Sequence, residues 1–224
     1  MRATHHSRLD GEALFYLAGA AVSLTLAAFF LVLFVARDAH AATIPRQALA
    51  YRSTLVRAAR WEEGLSAPIA TYAAQIHQES SWREDARSAV GAEGLTQFMP
   101  ATAAWWAKLR PDLGPAAPWN PGWAIRSLVG YDLWLLARVQ GRTACDRRAA
   151  SLTSYNGGLG WWQRDAALAK RQGLDPAAWW GAVETINAGR SRAAWEESRG
   201  YPRRILLTLE PLYEAAGWGR GVCP

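Results

Sequence analysis

Residues 13–36, ALFYLAGAAVSLTLAAFFLVLFVA, carry no charge over 24 positions. As a helix rising about 1.5 Å per residue, such a run exceeds the roughly 30 Å hydrocarbon core of a bilayer. A core helix of a globular domain keeps a polar face, so the pattern predicts a membrane-spanning segment. It divides the chain into a cytoplasmic tail at 1–12, a signal anchor at 13–36, a linker at 37–45 closed by Pro45, and a domain at 46–224. Arg2 and Arg8 precede the run while Arg37 and Arg46 follow it, so flanking charge decides little about orientation. The rival reading is a signal peptide cleaved near Ala41, because Ala39-His40-Ala41 before Ala42 has the small-x-small pattern. The run is longer than the usual signal-peptide core of about 7–15 residues, which favours an uncleaved anchor. The expectation is a single-pass inner-membrane protein with its large domain in the periplasm, or a secreted domain after cleavage.

Beyond the linker the pattern is helical nearly throughout. Helices are expected at 47–62, at 66–79 with Ser66 as cap and Pro68 early in the helix, and at 100–109. Further helices are expected at 125–140, at 146–155 capped by Asp146, at 159–171, at 175–187 capped by Asp175, and at 200–216. Residues 81–99 read as irregular, with Gly91 and Gly94 at turns, and 111–121 as a proline-rich loop. No β-alternation, internal repeat or low-complexity segment appears. The fold class is all-α, a single domain with a loop-rich segment directly after Glu79.

Composition narrows the partners. The net charge of +6 draws a chain of this size to polyanions: nucleic acid, anionic lipid or cell wall. No block of basic residues and no basic recognition helix is present, and an exported domain does not meet DNA, so nucleic acid is not expected. Thirteen Trp is a heavy load, read mostly as packing, Trp105, Trp106, Trp161 and Trp162 included. The four His stand at 5, 6, 40 and 77 with no Cys-x-x-Cys, so neither metal nor cofactor is expected. The two cysteines, Cys145 and Cys223, form an even pair in an exported domain and are expected to bridge. A loop of that length gives roughly 4 kcal/mol in the chain-entropy view.

Glu79 ends an apolar helix in the stretch Glu79-Ser80-Ser81-Trp82, where a rigid element meets an irregular segment and clefts are built. Three further stretches accompany it: Gly94-Leu95-Thr96-Gln97-Phe98-Met99-Pro100-Ala101-Thr102-Ala103, Ser154-Tyr155-Asn156-Gly157-Gly158, and Glu197-Ser198-Arg199-Gly200-Tyr201-Pro202 running on to Leu206. Together, in this order and with 18 residues (97 − 79) from Glu79 to Gln97, they resemble the soluble-type lytic transglycosylases of the goose-lysozyme-like fold. The resemblance spans about residues 60–212. Thr96 stands where that family usually has Met, Gly157 where it has Ala, and Pro202 where it has Val; about 171–193 matches no motif.

The resemblance implies a lysozyme-like helical domain that cleaves the β-1,4 bond between N-acetylmuramic acid and N-acetylglucosamine in peptidoglycan. The muramic C6 hydroxyl attacks, giving 1,6-anhydromuramic ends. Glu79 would act as acid and then base, its pKa raised by apolar neighbours such as Ile76, Phe98 and Met99. Gln97 and Tyr155 would hold the muramic acid and its acetamido group, and Asn156 the tyrosine loop or the substrate. Ser88 and Met99 would line the cleft, and Glu197 would bind sugar or peptide stem. Ser80, Gly91, Gly94 and Tyr201 are read as structural. The partners are then glycan strands and, through the anchor, the inner membrane, for a monomer. The alternatives are a hydrolytic goose-type lysozyme, which needs a second acid from Glu197, Glu84, Asp85 or Glu93, and a non-catalytic peptidoglycan-binding module. The anchor leans towards a phage or prophage lysis enzyme over a wall-remodelling or secretion-system component.

Overall fold

The computed structural model describes residues 43–223; the apolar run at 13–36, the tail and most of the linker lie outside the described residues. Among the described residues no helix is long and apolar enough to cross a membrane. Every named element among them is helical, and β structure is confined to two isolated bridges, Arg87 with Glu93 and Glu93 with Phe98.

The elements are α1 (Ala48–Glu63), α2 (Ile69–Ser80), α3 (Pro100–Leu109), α4 (Pro121–Leu136), α5 (Ala144–Gly157), α6 (Leu159–Arg171), α7 (Arg192–Arg204) and α8 (Glu210–Ala215). Single 3-10 turns occur at Pro111–Leu113 and Val183–Thr185, and a π-helical segment, Ile205–Leu209, joins α7 to α8. Helix α2 is the central element, buried from Ile69 through His77 and again at Ser80. Its small residues Ala70, Ala73 and Ala74 let α1, α8 and the π segment approach closely. Ser66 does not cap it: Pro68 occupies the N-cap, with no side-chain cap bond. The helix ends where Ser81 turns left-handed (φ 52°) and donates its N–H to the His77 carbonyl at 2.9 Å.

Two expected boundaries move for reasons of capping. Helix α4 starts and stops four residues early, because Asn120 accepts from the Trp123 N–H at 3.0 Å and Pro121 supplies a ready first turn. Helix α5 is capped by Thr143, not Asp146; Asp146 is the third residue of a capping box and returns a bond to Thr143. The helix expected at 175–187 does not form. Asp175 instead accepts from the Ala177 N–H at 2.9 Å, a local turn. Beyond it, Asp146 accepts from the Trp179 N–H and Asp165 from the Ala188 N–H, each at 2.9 Å. These two carboxylates satisfy backbone donors from outside the segment. Helix α7 begins at Arg192 under a Ser191 cap, well before the expected residue 200.

The C-terminal segment is tied back in two ways. Cys145 and Cys223 form a disulfide with Cα atoms 4.8 Å apart. The buried Glu210 carboxylate accepts from the N–H groups of Val222 and Cys223, at 3.1 and 2.9 Å, and from the Thr71 hydroxyl.

Candidate active site

Glu79 is the penultimate residue of α2, and its neighbourhood is built by the segment that follows. Trp82 is fully buried, donates its indole N–H to the Tyr213 hydroxyl at 2.6 Å, and packs on Tyr51 and Trp218. That anchor forces the sharp exit from α2. The chain returns through a turn at Gly91 (φ 88°) and a second at Gly94 (φ 72°). A Cβ at Gly94 would sit 2.1 Å from the Pro118 carbonyl oxygen, so this turn requires glycine for space as well as conformation. The Ser80 hydroxyl donates to the Leu95 carbonyl at 2.8 Å and so staples the returning segment to the helix end.

The result is a cleft of about 540 Å³ with Glu79 in its wall. It brings Ser88, Gln97, Met99, Tyr155, Asn156 and Glu197 together with Glu79, although they come from four separate stretches of chain. Ser88 is held by its own turn, its hydroxyl accepting from the Ala92 N–H at 2.9 Å. Gln97, in a left-handed conformation (φ 48°), donates to the Ala86 and Gly94 carbonyls at 3.0 and 2.8 Å. Tyr155 donates to the Thr96 carbonyl at 2.8 Å and meets Phe98 edge-on. Met99 is exposed on the rim, and Asn156 donates to Glu197 at 3.5 Å. Gly91 and Gly94 shape the loop behind this wall.

Tyr201, read from sequence as structural, stands in the cleft with its hydroxyl donating to Glu79 Oε1. A signal was present: Tyr201 is four residues after Glu197 on α7, so the two share a helix face. Tyr131, also in the cleft wall, was not singled out; it packs against Phe98 and Tyr155. Of the four tryptophans read as core, Trp106 and Trp162 are buried, Trp161 is partly buried and Trp105 is exposed.

The electrostatics converge on Glu79. Burial pushes its carboxyl up to about 8, against the Tyr201 hydrogen bond, which favours the ionised form; the negative charges of Asp132 and Glu197 raise it further. Ile76 is buried one turn earlier on α2 and Phe98 closes the cleft floor, so the desolvation has an apolar source. Burial also holds the Tyr155 and Tyr201 phenols well above their ordinary value, so both remain donors. Asp132, buried on α4, accepts from Gln75 Nε2 at 3.3 Å and lies 3.6 Å from Arg148; burial raises its carboxyl too. Gln75 precedes Glu79 by one helical turn, so this network lies behind the acid.

A protonated carboxyl at the edge of a cleft, its oxygen fixed by a phenol, can deliver a proton to a leaving oxygen near neutral pH. A larger cavity, about 670 Å³ between Trp61, Trp123 and Arg126, has no carboxylate in its lining and cannot supply that acid. Among the described residues no group of three or more His, Cys, Asp or Glu side chains is arranged to hold a metal ion.

The sequence matches the family described as Transglycosylase SLT domain over residues 54–177, more than half of the chain. The chain belongs to this family. The membrane-bound lytic murein transglycosylase F of Hahella chejuensis is 32% identical over 149 residues, covering 63% of this chain and 28% of that protein. Its namesake from Alteromonas mediterranea is 32% identical over 154 residues, 65% of this chain and 32% of that one. The chain thus spans about a third or less of the length of these relatives. Among solved structures, the 70 kDa soluble lytic transglycosylase of Escherichia coli aligns with a TM-score of 0.54 at 24% identity, over 79% of this chain and 25% of that chain. The 70 kDa enzyme in complex with bulgecin A gives 0.55 at 24% identity, over 80% and 26%. These likenesses establish the expected lysozyme-like helical fold, shared with members of the SLT family.

Proposed function

We propose that this SLT-family chain cleaves the β-1,4 bond between N-acetylmuramic acid and N-acetylglucosamine by intramolecular transglycosylation, leaving 1,6-anhydromuramic ends. The observation that carries the reading is Glu79: of the two cleft carboxyls it is the one withdrawn from solvent and held by a phenol hydroxyl, and burial pushes it up to about 8. In the first step Glu79 protonates the glycosidic oxygen as the bond to muramic C1 breaks. The substrate's acetamido group stabilises the developing cation. The carboxylate left behind, steadied by the Tyr201 hydroxyl, then takes the proton of the C6 hydroxyl as that oxygen closes on C1. The Gln97 and Tyr155 side chains line the wall against which the muramic ring would rest.

A hydrolytic reading has one observation in its favour: Glu197 lies in the same cleft and could hold a water. Its side chain is exposed and takes the Asn156 amide, which suits contact with substrate better than activation of water. The uncharged run at 13–36 supports an anchored, periplasmic placement, in keeping with relatives named membrane-bound. The test is digestion of purified peptidoglycan by the full chain and by Glu79→Gln, with sugar ends read by mass spectrometry. Anhydromuramic ends from the unmodified chain alone support the proposal. Reducing muramic ends make the enzyme a hydrolase, and no ends of either kind leave only a binding module.

A further inference from the structure

A second cavity, of about 320 Å³, adjoins the cleft. It shares Asn156, Gly157 and Glu197 with it, and Trp161, Arg190 and Ser191 are among its other walls. The charge beneath it is unbalanced. Arg190 NH2 donates to Asp165 Oδ2 at 2.8 Å, and Arg199 NH2 donates to the same oxygen at 2.6 Å. Two guanidinium groups on one carboxylate leave a net positive charge. Arg199 is further satisfied by the Glu184 and Ile186 carbonyls, at 2.9 and 2.6 Å. Arg190 is not: its side chain is 4% exposed, its Nε is buried with no partner, and among the described residues only its NH2 has an acceptor. A buried guanidinium left this incomplete wants an acceptor.

Gly157 bears on the same point. Its φ is not in the left-handed region, so conformation alone does not require glycine there. Space bears on it: a Cβ at 157 would lie 2.6 Å from Arg190 Nη1, so the Ala usual at this motif position would push the guanidinium out of the place it holds. The departure from the motif and the placement of the guanidinium are one feature, set directly beside Asn156 at the cleft edge.

We propose that this cavity is a subsite for the peptide stem of the strand bound in the cleft, with a stem carboxylate received by Arg190. The proposal rests on the peptidoglycan reading above and adds what the cleft takes besides sugar. The exposed side chain of Glu197 lines the same cavity, so it offers both a cation and an acid. That pairing fits a peptide, which offers carboxylates to the one and amide or ammonium donors to the other. A bare glycan strand offers neither charge.

The test uses the full chain in mild detergent and three substrates: strands with free stem carboxylates, the same strands with those carboxylates amidated, and strands stripped of stems. The unmodified chain should lose about tenfold in kcat/KM on amidation or stripping, the size of one charge-assisted hydrogen bond. In Arg190→Gln that ratio should fall towards one. Gly157→Ala, which displaces the guanidinium without deleting it, should act in the same direction and covers the case in which Arg190→Gln fails to fold. Equal cleavage of all three substrates by the unmodified chain overturns the proposal, as does a tenfold preference retained in both variants. If no substrate is cleaved, it is the transglycosylase reading that fails. The subsite is then decided by calorimetry with a soluble disaccharide-peptide and its amidated form: tenfold weaker binding of the amidated form supports it, and equal binding overturns it.

Discussion

Replacing Glu79 by Gln should make the protein more stable near neutral pH, because the native acid is held away from its preferred charge state. In the folded chain the Glu79 carboxyl is pushed up to about 8 by burial, against an ordinary value of 4.5. Between those values the folded state holds a proton that the unfolded state has released, so stability falls as pH rises through the window. At pH 7 the cost is roughly 3 kcal/mol, taking about 1.4 kcal/mol per unit. Glutamine keeps an oxygen that can accept from Tyr201 and never ionises, so Glu79→Gln removes this cost while leaving the hydrogen bond possible. For a domain of this size the gain corresponds to a rise in Tm of about 6–12 °C. Thermal and urea unfolding of both forms at pH 4.5, 6 and 7.5 would measure it. The gap should be below about 0.5 kcal/mol at pH 4.5 and widen with each step. A variant less stable than the native chain, or a gap independent of pH, would refute the assignment of Glu79 as a desolvated acid.

The same carboxyl sets the pH profile: kcat/KM should fall above about pH 8 as Glu79 ionises, and rate assays from pH 5 to 10 would locate the limb. In Tyr201→Phe that limb should move to higher pH, because the lost hydrogen bond favoured the ionised form. Gly94→Ala should cost about 3 kcal/mol or more in urea unfolding, since its Cβ meets a backbone oxygen and φ is 72°. Cys145→Ser with Cys223→Ser should cost roughly 4 kcal/mol, read from unfolding under non-reducing conditions.

Much of this architecture is legible in residue order because its boundaries carry local chemistry. Helices α3 and α6 have their expected limits, with Pro100 opening one and the Gly157-Gly158 pair preceding the other. What escaped was tertiary. Asp175 looks like a helix cap, yet the backbone donors beyond it are taken by Asp146 and Asp165, carboxylates from other helices. The first turns of α7 mix Ala and Trp with Arg and Glu, and the residues they bury are Ser198 and the guanidinium-bearing Arg199 rather than a hydrocarbon face. At the site, motif order brought Glu79, Gln97, Tyr155, Asn156 and Glu197 to one cavity. The four-residue step from Glu197 puts Tyr201 on the cleft face of α7, but the hydrogen bond of its hydroxyl to Glu79 depends on how α7 packs beside α2. Asp132 is the one acid of the apolar helix α4, and its place behind Glu79 depends on how α4 packs against α2.

The geometry of the acid also depends on parts of the chain far from it. Among the described residues three non-glycine residues take left-handed conformations, Ser81, Trp82 and Gln97, all in the segment that turns away from Glu79 and returns past it. Such residues each cost of order 1 kcal/mol or more and persist only where the surroundings over-determine them. Here the determinant is Trp82, clamped by the Tyr213 hydroxyl and packed on Trp218. Tyr213 lies on α8, three residues after Glu210, and it is Glu210 that gathers the backbone of Val222 and Cys223. The disulfide from Cys223 to α5 closes the same corner, and α5 carries Tyr155 into the cleft. A physical line therefore runs from the C-terminal bridge through α8 and Trp82 to the strained exit of α2. Loosening the bridge should relax Ser81 and Trp82 before it unfolds the domain, so activity should be lost at lower denaturant than global structure in the bridge-free variant.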